Sequence, residues 1–113
     1  MEKTLAVYKC LCDESRLRIL NLLSAGPLCV CHLQEILEET QVRVSKQLAY
    51  MKRHGLVTVT KRANWRIYSI PGEVNPLLRE NLKCLQDLVP EGEVFRSDLE
   101  TLQRIDTTAA CLP

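Results

Sequence analysis

The chain has 113 residues, of which 46% are hydrophobic and 26% charged, proportions that exclude a disordered or fibrous protein and fit one globular domain. Its net charge is +1, and no apolar segment approaches the ~20 residues needed to span a bilayer or resembles a signal peptide. We therefore expect a soluble cytoplasmic protein in which residues 1–106 form one domain and residues 107–113 a flexible tail.

The first half of the chain predicts four helices, because apolar residues recur there every three or four positions. Asp13 and Thr40 are expected to cap the second and fourth helices, Gly26-Pro27 to end the second, and Glu38-Glu39-Thr40 to break the third. The apolar residues expected to face the core are, helix by helix, Leu5, Tyr8, Leu11 and Cys12; Leu17, Ile19, Leu20, Leu22 and Leu23; Val30, Leu33 and Leu37; and Val44, Leu48 and Met51.

After Gly55 the apolar period changes from 3.6 to 2, which predicts a β-hairpin. Its strands are expected at residues 56–60 and 65–70, with a turn at residues 62–64. A helical pattern returns from Val74 to Leu88, and residues 95–105 indicate a further C-terminal helix.

Positive charge is concentrated between residues 43 and 66, which contain seven basic residues and no acid. The remaining residues carry eight basic and fourteen acidic groups, a net charge of −6. A basic segment on an acidic body is typical of a protein with one polyanion-binding face. The seven basic residues are Arg43, Lys46, Lys52, Arg53, Lys61, Arg62 and Arg66.

Two short helices, separated by a break of three or four residues and followed by a basic hairpin, predict a winged helix-turn-helix. This is a mainly α fold with a small β-hairpin. In residues 42–54 a basic face containing Tyr50 lies opposite the apolar stripe, which suits insertion into the DNA major groove. The hairpin would contact phosphates or the minor groove. The predicted DNA-binding residues are Arg43, Ser45, Lys46, Gln47, Tyr50, Arg62 and Arg66.

Three parts of the sequence resemble the ArsR/SmtB family of metal-responsive repressors. Residues 8–20 resemble the opening of the family, and the segment Leu28-Cys29-Val30-Cys31-His32-Leu33 is similar to the cysteine motif of its arsenic- and cadmium-type members. Residues 44–48 and 54–57 resemble the recognition helix and the start of the wing. The resemblance covers residues 5–70 and implies a homodimer that represses an operon on double-stranded operator DNA until a thiophilic ion binds Cys29 and Cys31.

The sequence departs from the arsenic-type pattern beside these cysteines. His32 stands where Asp is usual and Gln34 where a third cysteine is usual, so the resemblance supplies no third ligand. Residues 74–88 contain no His for the alternative zinc site of the family, and Gln47 replaces a His common in the recognition helix.

The chemistry of Cys29-Val30-Cys31 favours a soft ion. Side chains two residues apart on a regular helix point about 200° apart, so two thiolates can share an ion only where the first turn is extended or distorted. A helix N-terminus favours the thiolate form, and thiolates select soft ions. Thiolate chemistry admits As(III), Sb(III), Cd(II) and Zn(II); the resemblance to the arsenic-type members implies As(III) or Sb(III) as the inducer, ahead of Cd(II) or Zn(II). The candidate third ligands are Cys10, Cys12, Cys84, Cys111 and His32.

Some of these residues are expected to have structural roles rather than to bind a metal ion. A His at the start of a helix more often faces solvent than binds a metal, so His32 has that alternative. Free cysteines are often buried, and Cys12 is expected to pack against the second helix. A four-cysteine zinc site is disfavoured because residues 14–24 would hold Cys12 some 16 Å from Cys29 at 1.5 Å per helical residue.

Other function classes are weaker. A winged-helix regulator switched by cysteine oxidation is the main alternative. Because a Cys-x-Cys disulfide is strained, its disulfide would have to join Cys29 to Cys10 or join cysteines of two subunits. An enzyme is disfavoured, because the chain has only two His and no glycine-rich phosphate loop.

Overall fold

The computed structural model describes residues 1–88 and 92–105, and in them it confirms the winged helix-turn-helix. The expected tail at residues 107–113, including Cys111, lies outside the described residues. The elements are α1 (Glu2–Leu11), α2 (Glu14–Ser24), β1 (Leu28–Cys29), α3 (Val30–Leu37), α4 (Gln41–Arg53), β2 (Thr58–Arg62), β3 (Trp65–Ser69), α5 (Pro76–Leu88) and α6 (Glu93–Arg104).

Side-chain caps fix the starts of α2 and α4. Asp13 Oδ1 accepts a hydrogen bond from the backbone N–H of Arg16 at 3.0 Å, and Thr40 Oγ1 accepts one from the N–H of Arg43 at 3.2 Å. Both caps were predicted from the sequence and are confirmed. The turn between α3 and α4 contains Glu38 in the left-handed conformation, at φ +54°.

The core forms where α2, α3 and α4 meet. The predicted stripe of α4, formed by Val44, Leu48 and Met51, is buried. In α2 the predicted apolar residues are buried except Leu17, which is half-buried. Because α3 and α4 pack their apolar stripes on the same core, the polar face of α4 is turned outward.

The predicted apolar stripe of α1 is wrong for Leu5 and Tyr8, whereas Leu11 packs against the core as expected. The buried residues of α1 are Val7 and Cys10, whereas Leu5 is 48% exposed and Tyr8 is 50% exposed. Cys12, which was expected to pack against α2, is also exposed. The helix carries apolar residues on two faces, and only the face of Val7, Cys10 and Leu11 meets the core.

The wing belongs to a three-stranded antiparallel sheet with strand order β1-β3-β2. The hairpin was predicted: β2 begins and ends two residues later than expected, and β3 begins at the expected residue and ends one residue earlier. The two-residue strand β1 was not predicted, because Leu28 and Cys29 were assigned to the entry of α3. In β1 the residue Cys29 pairs with Ile67 of β3.

Helix α6 packs against α2 and α3, and its most buried residue is Asp98. The Asp98 carboxylate accepts hydrogen bonds from Arg18 Nε at 2.8 Å and Arg18 Nη2 at 2.7 Å. This bidentate ion pair joins α6 to α2. Among the described residues, no helix has the length and apolar character needed to cross a membrane.

Candidate nucleic-acid interface and thiol site

The outer face of α4 presents three of the predicted basic residues to solvent. Arg43, Lys46 and Arg53 are all exposed and line one shallow groove along the helix. Ser45 is half-buried at its edge. Because the opposite face of α4 is fixed in the core, this surface is rigid enough to enter a DNA groove as a unit.

Positive charge is also concentrated at the tip of the wing. Lys61 and Arg66 are directly opposite each other in the β2–β3 register, and Arg62 is opposite Trp65. Since facing residues lie on the same side of a hairpin and successive residues alternate, Arg62 and Arg66 lie on opposite sides of the wing. A like-charged pair such as Lys61–Arg66 weakens a free hairpin, and an approaching polyanion would relieve the repulsion.

Few acidic groups neutralise this surface. Of the seven basic residues between positions 43 and 66, Arg43 alone forms an ion pair among the described residues, with Glu39 Oε2 at 3.2 Å. Arg43 is highly exposed in that pair, so the pair contributes little stability and is easily exchanged for a phosphate contact. The face therefore keeps its positive charge.

Two predicted DNA-binding residues, Gln47 and Tyr50, are half-buried and contact the protein itself. Gln47 Oε1 accepts a hydrogen bond from Arg16 Nη1 at 3.0 Å, and Gln47 Nε2 donates one to Asp13 Oδ1 at 3.3 Å. The Arg16 guanidinium lies 4.3 Å from the centre of the Tyr50 ring, which also contacts the His54 ring. Sequence reasoning missed Arg16, which lies outside the basic segment.

Sequence reasoning also missed Val42, on the first turn of α4. It is 62% exposed, which is unusual for a large apolar side chain. The N-terminal residues of a recognition helix contact base edges, and an apolar side chain there suits the methyl group of thymine. Residue 42 was within the projected range 42–54 and falls on the outer face, but only the basic residues and Tyr50 were considered there.

The thiol site forms where β1 becomes α3. Cys29 is the N-cap residue of α3, with an extended backbone at φ −93° and ψ 168°. Cys31 is the second residue of the helix. Because only Cys31 has helical geometry, the two sulfurs converge and lie 3.1 Å apart. The assumption that both cysteines lie on one helix is wrong, but the extended first turn needed for a shared ion is present.

His32 completes a cluster of three donors, whose ligand atoms all lie within 4.8 Å of one another. His32 Nδ1 lies 3.2 Å from Cys29 Sγ and accepts a hydrogen bond from the Cys29 backbone N–H at 3.4 Å. The two residues occupy the N-cap and N3 positions of a capping box, which turns the imidazole back toward Cys29.

The solvent-facing alternative for His32 is wrong, since the residue is only 9% exposed. Its Nε2 atom is buried with no hydrogen-bond partner among the described residues. The atom beside the sulfur of Cys29 is Nδ1, so His32 can join the two cysteines as a third donor when Nδ1 gives up the hydrogen bond from the Cys29 N–H.

The other candidate ligands do not join this cluster among the described residues. Cys10 is fully buried, and burial raises the pKa of its thiol to about 11 although the Arg16 guanidinium opposes the shift. Cys12 and Cys84 are exposed. Cys111 lies outside the described residues.

The chain resembles known regulators in sequence. The family model of the arsR family of bacterial regulatory proteins matches residues 13–59. The arsenical resistance operon repressor of Bacillus subtilis is 38% identical over 88 residues, which cover 76% of this chain and 84% of that protein. The arsenical resistance operon repressor of Escherichia coli is 36% identical over 88 residues, covering 74% and 75% of the two chains.

Solved structures show the same fold. HlyU from Vibrio cholerae superposes with a TM-score of 0.69 at 30% identity, covering 77% of this chain and 91% of that chain. A homodimeric winged helix-turn-helix DNA-binding domain from Mycobacterium bovis gives 0.67 at 26% identity, covering 80% and 81%. The AntR antimony-specific transcriptional repressor gives 0.66 at 26% identity, covering 80% and 79%.

Proposed function

The chain belongs to the ArsR family of DNA-binding transcriptional regulators, and we propose that it is a homodimeric repressor released from its operator by As(III) or Sb(III). Cys29 and Cys31 supply two thiolates, and His32 supplies the third donor. The observation that carries this proposal is the convergence of these three donors at the start of the helix-turn-helix. Because its partner is DNA, we place the protein in the cytoplasm.

The positive face of α4 and the wing support the DNA partner. In the proposed complex Arg43, Ser45 and Lys46 of each subunit contact DNA in the major groove, while Arg62 and Arg66 contact the backbone or the minor groove on either side of the wing. Gln47 and Tyr50 also lie at this surface, although both are partly used by internal contacts.

A second copy of the chain would cover the exposed apolar face of α1. Leu5 and Tyr8 form that face, and the Mycobacterium bovis domain of similar structure is a homodimer. Two copies would present two α4 helices to successive major grooves of a palindromic operator.

The chemistry of the three donors supports a thiophilic inducer. Thiolates favour soft ions, and the relatives from Bacillus subtilis and Escherichia coli are arsenical resistance repressors. The imidazole of His32 also suits Cd(II) and Zn(II), which are therefore the second choice of inducer.

Two structural connections link the thiol site to the DNA-binding face. Cys31 lies on α3, which packs against α4. Cys29 lies on β1, which pairs with β3 of the wing at Ile67, next to Arg66. When the two cysteine side chains rearrange to bind an ion, the movement is therefore transmitted both to α4 and to the wing, and α3 does not have to unwind. A coupling free energy of about 1–3 kcal/mol would weaken operator binding about 5- to 150-fold.

Operator binding followed by fluorescence anisotropy, with titration of arsenite, antimonite, Cd(II) and Zn(II), tests the proposal. The DNA is a duplex selected by the reduced wild-type protein from a randomised library. We expect arsenite or antimonite to release it, and Cys29→Ser and Cys31→Ser to abolish release while keeping DNA affinity. The matched control is Cys12→Ser, which replaces an exposed thiol outside the cluster and should respond as wild type. Unchanged binding at ion concentrations that saturate the thiols would contradict the proposal.

The 3.1 Å separation of Cys29 Sγ and Cys31 Sγ also favours a second candidate, a redox switch. In that reaction a peroxide oxidises the two thiols to one disulfide. The two thiol protons go to the oxygens of the peroxide, which is reduced to two water molecules, or to one water and one alcohol if it is an alkyl hydroperoxide. From the sequence, a disulfide between Cys29 and Cys31 was expected to be strained, and Cys29 was expected to pair with Cys10 or between subunits. The close approach of the two sulfurs and the complete burial of Cys10 favour the pair Cys29–Cys31 instead. Release of operator DNA by hydrogen peroxide in the presence of a chelator, but not by arsenite, would support the switch and exclude the ion sensor.

A further inference from the structure

Arg16 lies on α2 and connects this helix to α1 and α4. Its Nε donates a hydrogen bond to the Cys10 carbonyl at 3.1 Å and its Nη2 donates one to the Lys9 carbonyl at 3.0 Å, both at the C-terminal end of α1. Its Nη1 donates to Gln47 Oε1 at 3.0 Å on α4 and lies 3.9 Å from Asp13 Oδ2. A planar guanidinium is suited to such a set of donors, whereas lysine is not.

Arg16 and Asp13 together fix the orientation of the Gln47 side chain. Arginine can only donate hydrogen bonds, so it must face the amide oxygen; an ionised aspartate can only accept them, so it must face the amide nitrogen. The two observed contacts satisfy both conditions. The Gln47 amide therefore has one orientation, and its remaining hydrogen-bonding capacity points in fixed directions from α4.

The guanidinium also restrains Tyr50, one turn farther along α4. It lies over the ring at 4.3 Å from the centroid, and the side chain of Arg16 is only 17% exposed. A cation this well covered gains from the ring and is shielded from competing water. Arg16 also lines the groove of the basic face, beside Gln47 and Tyr50. Its guanidinium is engaged by Gln47, the Tyr50 ring and the end of α1.

We propose that Arg16 is a positioning residue for operator recognition: it holds α4 against the end of α1 and fixes the side chains of Gln47 and Tyr50 in the orientations that read the operator. The inference rests on the proposed role of α4 as the recognition helix. It assigns to Arg16 an effect on sequence selectivity and no direct contact with phosphate.

Arg18 offers a matched control, because it lies on the same helix and its side chain is 19% exposed, against 17% for Arg16. Its partner is Asp98 of α6, away from α4. The test compares Arg16→Met with Arg18→Met, at a temperature where both are folded. Affinity is measured for the duplex selected by the wild-type protein and for a scrambled duplex, over a range of salt concentrations.

We expect Arg16→Met to weaken binding of the selected duplex about tenfold, in line with the loss of one oriented base contact. Binding of the scrambled duplex and the slope of log K against log salt should stay as in wild type, because no phosphate contact is lost. Arg18→Met should change neither affinity. Equal effects of the two variants would overturn the inference, and a shallower salt slope in Arg16→Met would reassign Arg16 as a phosphate contact.

Two further variants keep the test decisive if Arg16→Met fails to fold. Arg16→Lys keeps the charge but cannot reproduce the planar set of donors, so it should also lose selectivity; wild-type selectivity in Arg16→Lys would overturn the inference. Combining Arg16→Lys with Gln47→Met should cost less than the sum of the two single losses, because part of the Arg16 effect passes through Gln47 and the rest through Tyr50. Fully additive losses would show that Arg16 does not act through Gln47. A wild-type protein that selects no duplex would contradict the proposed function, and this inference with it.

Discussion

The chain contains two Cys-x-Cys segments, one at the end of α1 and one at the start of α3, and the structure treats them in opposite ways. Cys10 is buried and Cys12 exposed, so their side chains diverge. Cys29 and Cys31 converge, with sulfurs 3.1 Å apart and the His32 imidazole beside them. The spacing is the same in both segments.

The backbone of the first cysteine accounts for the difference. Cys10 lies within the regular helix α1, where residues two apart point to nearly opposite sides. Cys29 lies just before α3 and is extended, which turns its side chain toward that of Cys31. Spacing alone therefore does not make a thiol site; the helix must begin between the two cysteines.

The largest expected effect is the difference in alkylation rate between the two diverging cysteines of the first segment. We expect iodoacetamide to modify Cys12 about 100-fold faster than Cys10, because Cys12 is exposed while burial raises the pKa of Cys10 from 9.0 to about 11. Peptide mass spectrometry after timed quenching measures both rates. In urea the two rates should become equal, and a fast reaction of Cys10 in the folded protein would contradict its described burial.

Sequence periodicity correctly predicted the helices that have a single apolar face, because such a face can only pack on the core of the chain. The stripe of α4 and the caps Asp13 and Thr40 depend on neighbours within four residues, so local rules identify them. Helix α1 was misread because it has two apolar faces, and nothing local indicates which face meets the core of its own chain.

Residues whose partners are distant in sequence were not predictable. From its local sequence Asp98 would be expected on the surface; it is buried because it pairs with Arg18, which lies 80 residues away in the sequence. Strand β1 has two residues and is defined only by its pairing with β3. The Cys29–Cys31–His32 site lies between these cases: the motif was recognised, but the orientation of His32 depends on where α3 begins.

The pH dependence of stability should differ between the two cysteines of the first segment. Because the pKa of Cys10 is higher in the folded protein than its ordinary value of 9.0, its contribution is complete below pH 9 and is lost as pH rises toward about 11. Cys10→Ala should flatten this decline by up to ~1.4 kcal/mol per pH unit, the limit for one proton. Urea denaturation across this range measures the slope, and Cys12→Ala, with a slope expected to match wild type, is the control. Equal slopes in all three proteins would show that Cys10 is not the titrating group.

The smallest effect should come from fixing the backbone that distinguishes the second segment. Val30 is the first residue of α3, a position where proline is tolerated, and a proline there restricts Cys29 to the extended conformation that it already has. Val30→Pro should therefore bind arsenite within about threefold of wild type, since a preorganised site loses little on binding. Val30→Ala, which removes the same half-buried side chain without restricting Cys29, is the control, and tryptophan fluorescence or thiol protection measures the affinity. If Val30→Pro lost arsenite binding while Val30→Ala kept it, Cys29 would have to leave the extended conformation to bind the ion, and the backbone difference between the two segments would not be the origin of the site.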